Sequence, residues 1–202
     1  MFNLVVLASG RGSNLQSIID KIHLKSDLSI EISCVISDNK DAYALKRASK
    51  EDIPFYLVDK TLYNSRKEQE NKISMIIDDY DIDLIVLAGY MKVLSSEFVE
   101  KFKNKIINIH PSLLPSFPGL NAQKQAVDYG VKISGCTVHF VDKGVDSGPI
   151  IKQKSVVVNQ NDTPDTLSAK ILKKEHKLLP EVIKDIAKEK ITINNRKVFY
   201  KE

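Results

Sequence analysis

The chain has 202 residues, and its 30 basic and 26 acidic side chains give a formal net charge of +4. That length can bury a large core without disulfides or metals, and so small a basic excess does not indicate nucleic-acid binding. The sequence shows neither a membrane-length apolar run nor a basic leader, so we expect no membrane partner and a cytoplasmic location. The 2 cysteines stand in apolar strand-like runs, which predicts buried thiols rather than a disulfide or a metal pair.

The first half of the chain alternates apolar runs with amphipathic segments. A continuous apolar run at 4–8 predicts a buried parallel strand, and the spacing of Leu15, Ile18 and Ile22 predicts a helix after it. The same alternation predicts strands at 30–36, 55–58 and 84–88 and helices at 42–50 and 65–80. Repeated strand–helix units predict an α/β fold with a doubly wound, mostly parallel, Rossmann-like sheet and helices on both faces.

The second half has a less regular pattern and predicts an antiparallel part of the sheet. Its predicted elements are a helix at 95–103, a strand at 106–109, a helix at 122–129 and strands at 135–141 and 149–158. The last two strands are close enough in sequence to pair as a hairpin. The Pro-rich loop at 111–119 has the length of a functional loop. A capped helix is predicted at 164–179, with Pro180 beginning another helix.

Residues Ser9-Gly10-Arg11-Gly12-Ser13-Asn14 form the loop between the first strand and the first helix. Backbone N–H groups at the start of a helix favour an anion, and phosphate is the natural ligand. The loop is not a dinucleotide fingerprint, because Leu15 replaces the third glycine, and no Gly-Lys-Ser/Thr follows to make a P-loop. A tight turn capped by Ser13 or Asn14 explains the motif equally well. Ligands of open α/β sheets do bind at the carboxyl ends of strands, which favours the anion site.

Asn108 and His110 lie in an apolar run that ends at Pro111. Strand alternation places their side chains on one face, where an amide and an imidazole need polar partners. Asp146 follows in a second polar turn. These groups suit a reaction whose nucleophile is an amine of the substrate, because the attack needs donors for an oxyanion and a carboxylate to move a proton. Ser112 is beside His110 but lacks the Gly-x-Ser-x-Gly elbow of a serine nucleophile.

The histidines and the carboxylate also have purely structural interpretations. His110 could be a core histidine satisfied by backbone groups, but its position at a strand end favours chemistry. Asp146 could bond its own turn, and spacing alone supports that role and a catalytic role equally. His139 is predicted to be structural with one face buried, with the alternative that it lines the same cleft. His23 and His176 are predicted to be ordinary surface or helix residues.

Several long motifs resemble the folate-dependent formyltransferases, from residue 4 to about residue 180. They are Asn108-Ile-His-Pro-Ser-Leu-Leu-Pro, Pro118-Gly-Leu, Thr137-Val-His-Phe-Val and Asp146-Ser-Gly-Pro, with Leu7-Ala-Ser-Gly-Arg-Gly-Ser-Asn-Leu near the N-terminus. The resemblance implies one domain over 1–202, with a nucleotide-binding half at 1–100 and a folate-binding and catalytic half at 101–202. It also implies formyl transfer from 10-formyltetrahydrofolate to the amine of glycinamide ribonucleotide in purine synthesis.

The resemblance implies a role for each candidate residue. Asn108 and His110 would polarise the formyl carbonyl and stabilise the oxyanion, while Asp146 would orient His110 and a water and help relay the amine's proton. The implied binding residues are Gly12, Ser13 and Asn14 for the 5'-phosphate, Glu175 for the ribose hydroxyls, and Arg66, Met91, Lys92, Val93, Leu94, Val141, Asp142 and Asp146 for the folate. We expect no metal, and a monomer or a homodimer that acts on small molecules.

Two positions depart from the family pattern. Lys92 stands where some relatives carry arginine, and lysine cannot make a bidentate contact with the folate tail. Residues 121–123, Asn-Ala-Gln, replace the His-Thr-His expected from other members, which removes any supporting role for histidines there.

Three other functions compete with this interpretation. A methionyl-tRNA formyltransferase would carry a C-terminal RNA-binding domain, and a formyltetrahydrofolate hydrolase usually carries an extra N-terminal domain. We expect neither domain in this chain. A non-catalytic nucleotide-binding protein would keep the glycine loop without needing Asn108, His110 and Asp146 together.

Overall fold

The computed structural model describes residues 1–25 and 29–201, and it divides into two compact units, Met1–Ile107 and Asn108–Glu202. The strands in the described residues are β1 (Phe2–Leu7), β2 (Ile30–Ser37), β3 (Phe55–Leu57), β4 (Leu84–Leu87), β5 (Ile106–His110), β6 (Ile133–Phe140), β7 (Ile150–Val157), β8 (Ile191–Asn194) and β9 (Lys197–Tyr200). The α-helices are α1 (Ser13–Ile18), α2 (Tyr43–Lys50), α3 (Arg66–Asp78), α4 (Ser96–Lys101), α5 (Ala122–Tyr129) and α6 (Pro164–Ala187). A π-helical turn at Ile19–His23 extends α1.

The strands form a mixed, mostly parallel sheet with helices around it, which confirms the predicted fold class. Seven of them follow the order β3-β2-β1-β4-β5-β6-β7, and β8 pairs with β9 in a separate hairpin. The pairs β1–β2, β1–β4 and β2–β3 are parallel. The pair β6–β7 is antiparallel, as the short connection between the two predicted strands indicates.

In the first unit the chain winds outward from β1 in both directions. It passes from β1 through β2 to β3 and then returns to the other side of β1 for β4. The side chains of β1 from Leu4 to Leu7 have no exposed surface, as expected for a strand covered on both faces. The strand order reverses between β1 and β4, and ligands of such sheets bind at the carboxyl ends of the two strands that flank the reversal. In this chain the glycine loop follows β1.

In the second unit, α6 packs on the antiparallel pair β6 and β7. The two strands approach very closely at Gly135, because a side-chain carbon there would lie 2.1 Å from the carbonyl oxygen of Lys154. The pairing shifts register between Val138 and His139. Helix α6 begins with a capping box between Thr163 and Thr166, as the sequence predicts.

The C-terminal part differs from the prediction in two ways. Pro180 does not begin a new helix but lies inside α6, which continues to Ala187. Apolar side chains on both sides of it, including Leu179 and Val182, are completely buried, so tertiary packing maintains the helix despite the hydrogen bond that proline removes. The hairpin of β8 and β9 has no counterpart among the predicted elements. No helix within residues 1–25 and 29–201 is both long and apolar enough to cross a membrane.

Candidate active site

The end of β5 brings Asn108 and His110 to the carboxylate of Asp146. The Nδ1 atom of His110 lies 3.2 Å from Oδ2 of Asp146. The amide of Asn108 donates to the other oxygen, with Nδ2 3.3 Å from Oδ1. His110 is 4% exposed, and the intervening Ile109 is 6% exposed. Asn108 and His110 therefore share a face, as strand alternation predicts, and one half-buried carboxylate joins them.

Both ring nitrogens of His110 face oxygen acceptors. Nδ1 faces Asp146, and Nε2 lies 2.8 Å from the carbonyl oxygen of Phe117. A neutral imidazole carries one N–H, so only the protonated ring can donate to both acceptors. Burial lowers the pKa of His110, while the Phe117 carbonyl and the Asp146 carboxylate oppose that shift. The charge of this ring is therefore set by a balance between desolvation and two acceptors.

Asp146 is held in its ionised form by the groups around it. Burial acts to raise its pKa, but the neighbouring ring of His139 and the hydrogen bond from the backbone N–H of Gly119 outweigh that effect, so the pKa lies below the ordinary value of 3.8. The Gly119 nitrogen is 2.8 Å from Oδ2. The carboxylate is thus available to orient His110 over the whole physiological pH range.

The turn that carries Asp146 is capped by a different carboxylate. Oδ1 of Asp142 accepts hydrogen bonds from the Gly144 nitrogen at 3.1 Å and from the Ser147 hydroxyl at 2.6 Å. Spacing alone left a turn role and a catalytic role equally supported for Asp146. Because Asp142 performs the turn role, the carboxylate of Asp146 is directed at Asn108 and His110 instead.

His139 also belongs to this cluster. Its Nδ1 lies 2.8 Å from the Phe140 carbonyl oxygen, which places the proton of the neutral ring on Nδ1. Nε2 is then an acceptor, 3.2 Å from Nδ2 of Asn108 and 3.6 Å from Asp146 Oδ1. Sequence reasoning placed His139 first as a structural residue and only second in the cleft. The available signal was its inclusion in one of the long family motifs.

The acceptors of His110 stand on unusual backbone. Phe117 and Asp146 both have left-handed conformations, with φ of 54° and 50°. Such backbone costs about 1 kcal/mol or more at a residue other than glycine, and it is concentrated at functional sites. The strain falls on the two residues that face the two nitrogens of His110.

The glycine loop of the first unit follows β1 and is hydrogen-bonded to the residues that follow β4. The Ser9 nitrogen donates to the Gly89 carbonyl at 3.0 Å, and the Ser9 hydroxyl accepts from the Met91 nitrogen at 3.0 Å. Gly12 forms the N-terminal cap of α1 with φ of 66°, and no side chain caps the helix. The cap position of α1 is therefore occupied by Gly12 and not by Ser13 or Asn14.

A cavity of about 400 Å³ in the first unit is lined by basic and polar side chains, among them Lys60, Arg66 and Lys92. Arg66 is held by Glu70, 3.6 Å from its Nε, and donates from Nη1 to the Val93 carbonyl at 3.3 Å. Nζ of Lys92 lies 2.8 Å from Gln69 Oε1 and 3.6 Å from Asp38 Oδ2. The lysine is thus fixed by two neighbours, so its ammonium has a defined position at the cavity.

The remaining predicted residues occupy separate places. Glu175 is 6% exposed on α6, where its charge contributes to raising the pKa of Cys136, after burial, to about 12. His23 accepts from the Ile32 nitrogen through Nδ1 and is structural. Ser112 is buried and donates to the Ser116 carbonyl, which leaves it no role as a nucleophile. Within the part of the chain that the structure describes, no group of His, Cys, Asp or Glu side chains is placed to hold a metal ion.

Comparisons with known proteins give one consistent family. The Formyl transferase family matches residues 2–183. The chain is 43% identical over 184 residues to the human trifunctional purine biosynthetic protein adenosine-3, with 91% of this chain covered but only 18% of that protein. It is 38% identical to the phosphoribosylglycinamide formyltransferase of Bacillus subtilis over 196 residues, which covers 97% of this chain and 98% of that protein.

Solved structures agree with the sequence relatives. The crystal structure of glycinamide ribonucleotide transformylase 1 from Symbiobacterium toebii matches with a TM-score of 0.96 and 42% identity, covering 100% of this chain and 95% of that one. The family match covers residues 2–183 and includes Asn108, His110 and Asp146. The chain therefore belongs to the formyl transferase family.

Proposed function

We propose that the protein transfers the formyl group of 10-formyltetrahydrofolate to the amine of 5'-phosphoribosylglycinamide, giving formylglycinamide ribonucleotide and tetrahydrofolate in purine biosynthesis. The observation that carries the proposal is the partly buried cluster in which Asp146 joins Asn108 and His110. None of the three side chains is a serine or cysteine nucleophile, and an amine of the substrate is the attacking group in this proposal. The Bacillus subtilis relative, which this chain matches over nearly its whole length, is named for this reaction.

The reaction balances with the two substrates alone. The amine nitrogen attacks the formyl carbon, and a tetrahedral intermediate forms with negative charge on the former carbonyl oxygen. The bond from that carbon to N10 of the folate then breaks. The amine loses one proton and N10 gains one, so the protein has to stabilise the oxyanion and move a proton between the two nitrogens.

Asn108 and His110 are the donors for the oxyanion in this proposal. In the structure, Nε2 of His110 faces the Phe117 carbonyl, and Nδ2 of Asn108 donates to Asp146 and lies within hydrogen-bond distance of His139. The formyl oxygen would therefore share or replace these protein acceptors when it binds. Asp146 keeps the ring of His110 oriented and favours its protonated form, and a water beside the carboxylate would carry the proton of the amine.

Each of the two units contains part of the proposed substrate-binding residues. In the first unit, Gly12, Ser13 and Asn14 would bind the 5'-phosphate at the uncapped start of α1. The folate would contact Met91, Lys92, Val93 and Leu94, and its anionic tail would be attracted by Arg66 and Lys92 at the basic cavity. In the second unit, Val141, Asp142 and Asp146 would contact the folate, and Glu175 would accept hydrogen bonds from the ribose hydroxyls.

A steady-state assay with both substrates tests the proposal. Purified protein is mixed with 5'-phosphoribosylglycinamide and 10-formyltetrahydrofolate, and the formylated ribonucleotide is measured by mass spectrometry while release of tetrahydrofolate is measured by absorbance. We expect equal amounts of both products, and no tetrahydrofolate when the ribonucleotide is left out. Release of formate at the same rate without the ribonucleotide would instead identify a formyltetrahydrofolate hydrolase.

A further inference from the structure

We propose that Arg47, on α2, is a positioning residue that orders the glycine loop to receive the phosphate of the substrate. The inference rests on the phosphate-binding role proposed for the loop. Arg47 is not in the glycine motif and follows it by more than thirty residues in the sequence. Its guanidinium is nevertheless bonded to the backbone of the loop and to the side chain of a residue in α1.

The contacts of Arg47 fix its position on three sides. Nε donates to the carbonyl oxygen of Arg11 at 2.9 Å, and Nη1 donates to Oε1 of Gln16 at 2.7 Å. The guanidinium carbon lies 4.9 Å from the centre of the Tyr43 ring, one turn earlier on α2. Gln16 is held in turn by Asp20, whose Oδ1 accepts from its Nε2 at 2.8 Å. Arg47 is thus a rigid donor toward the loop rather than a freely moving surface cation.

The hydrogen bond to Arg11 completes a series along the loop. Four consecutive carbonyls each accept a hydrogen bond from outside the turn. The donors are Asn39 Nδ2 for Ser9, the Ala44 nitrogen for Gly10, Arg47 Nε for Arg11 and the Gln16 nitrogen for Gly12. Arg47 is the charged donor of this set.

Holding these carbonyls determines where the N–H groups of the loop point. In a planar trans peptide the N–H of the next residue is antiparallel to the carbonyl. The bond from Arg47 to the Arg11 carbonyl therefore fixes the N–H of Gly12, which points in the opposite direction within the same peptide plane. A concave set of fixed N–H groups is an anion-binding nest, and a peptide that can rotate loses part of that site. Arg47 consequently acts on the phosphate through the backbone.

The packing of Gly12 also indicates that α2 orders the glycine loop. A side-chain carbon on Gly12 would lie 2.8 Å from both Cα and Cβ of Ala44, which is three residues before Arg47 on α2. The first turn of α2 is therefore in direct contact with the loop, and Arg47 extends that contact to the next peptide. This geometry predicts that loss of the guanidinium changes binding of a phosphate without changing the chemistry of formyl transfer.

The test compares Arg47→Met and Arg47→Lys with the control Lys50→Met. Lys50 is the last residue of α2, its side chain is 81% exposed and it pairs with the adjacent Glu51, so the control removes the same charge at a site away from the loop. The measurements are inhibition or calorimetric binding of ribose 5-phosphate, KM for each substrate, kcat and the melting temperature. We expect Arg47→Met to weaken ribose 5-phosphate binding and raise KM for the ribonucleotide about tenfold or more, as loss of a charge-assisted hydrogen bond predicts.

The other readouts separate positioning from charge and from folding. KM for the folate and kcat should stay within about twofold, and Lys50→Met should match the unmodified protein, since its charge is remote from the loop. Arg47→Lys should remain defective, because one ammonium cannot hold both the Arg11 carbonyl and Gln16. A deficit that disappears in Arg47→Lys or at high salt would mean that only charge matters and would overturn the inference.

The outcome also distinguishes this inference from the proposed reaction. If ribose 5-phosphate binds and binding falls in Arg47→Met while no formyl transfer is detected, the positioning role stands and the proposed reaction fails. If the unmodified protein does not bind ribose 5-phosphate, the positioning role fails with the phosphate site. Equal losses in kcat, both KM values and melting temperature would reduce Arg47 to a general stabilising residue.

Discussion

The glycine loop and the His110 cluster provide polar groups in opposite ways. The loop provides backbone N–H groups. The carbonyls of its first four residues accept hydrogen bonds from Asn39 and from residues of α1 and α2. The cluster provides side chains, and its geometry depends on partners that bond one another. The two regions therefore respond differently to substitution. In the loop, function should be impaired by an added side-chain carbon or by loss of a hydrogen bond that holds the backbone. In the cluster, function should be impaired by removal of a single functional group.

This difference predicts a separation in the kinetic constants. A backbone nest makes similar contacts with a phosphate before and during the reaction, so its loss raises KM. The donors of the cluster act most strongly on the oxyanion, which exists only during the reaction, so their loss lowers kcat. Substitutions in the cluster should therefore lower kcat, and substitutions in the loop should raise KM.

The largest effect is expected from His110→Ala and Asp146→Ala, with Asn108→Ala in the same class. Removal of the imidazole or of its carboxylate partner should lower kcat about 10² to 10⁴-fold, because donors and a proton carrier are lost together. KM for both substrates should change by about threefold or less. Steady-state kinetics on the purified variants measures both constants.

A surface carboxylate provides the matched control for this prediction. Asp128 pairs with Lys124 on the exposed side of α5, and Asp128→Ala removes the same group as Asp146→Ala. We expect it to leave kcat unchanged, since exposed ion pairs contribute little. Unimpaired turnover in all three variants of the cluster would remove the catalytic assignment.

The next largest effect is expected at His139. His139→Leu removes the acceptor for the Asn108 amide and should lower kcat about tenfold to a hundredfold, because a misplaced oxyanion donor costs roughly that much. His139→Gln retains a polar side chain that can accept a hydrogen bond and should recover part of the loss. Both variants should keep KM for the ribonucleotide. If kcat were normal in His139→Leu and only the melting temperature fell, His139 would be a packing residue.

Much of the fold and part of the candidate site could be predicted from the sequence, because the patterns that indicate them are local. Period-two alternation at β5 correctly placed Asn108 and His110 on one face, and the strand–helix rhythm predicted the parallel part of the sheet. The position of Asp146 could not be derived in the same way, because a carboxylate before a glycine also suits a turn. The geometry that decides between them, with Asp142 capping the turn, depends on tertiary structure.

Other features depended on contacts between residues far apart in the chain. Nothing in the pattern around Arg47 distinguishes it from other basic residues of α2, since its partners lie in the glycine loop and α1. Pro180 is a helix-breaking signal in sequence, but burial of its neighbours overrides it. His139 is ambiguous for the same reason, because its role is defined by atoms of Asn108 and Asp146.

The glycine loop should respond to added volume rather than to lost groups. Gly12→Ala forces a left-handed residue against Ala44 and should lower the free energy of unfolding by about 1–3 kcal/mol while raising KM for the ribonucleotide. Gly10→Ala is the matched control, because a side-chain carbon there meets nothing within 4 Å. Urea denaturation of both variants measures the difference. Equal stability of the two would show that α2 does not constrain the loop.

The smallest effect concerns stability against acid. Burial lowers the pKa of His110 below 6.5, so between 6.5 and the lowered value the unfolded chain binds a proton that the folded chain does not. The free energy of unfolding should therefore fall as pH decreases through that window, by at most about 1.4 kcal/mol per pH unit for one proton. Urea denaturation over a pH series should show a smaller slope for His110→Gln in this window.

Asp146 should act in a separate, more acidic window. Its pKa is lowered below 3.8 in the folded protein, so its contribution is fully present above 3.8 and is lost as pH falls through the lowered value. Asp146→Asn should flatten the stability curve there. A stability curve of His110→Gln that runs parallel to that of the unmodified protein just below pH 6.5 would mean that the acceptors Phe117 and Asp146 fully cancel the effect of burial. In that case the cluster would hold an imidazolium at the same pH as free histidine, and His110 would already be charged for catalysis in mildly acidic solution.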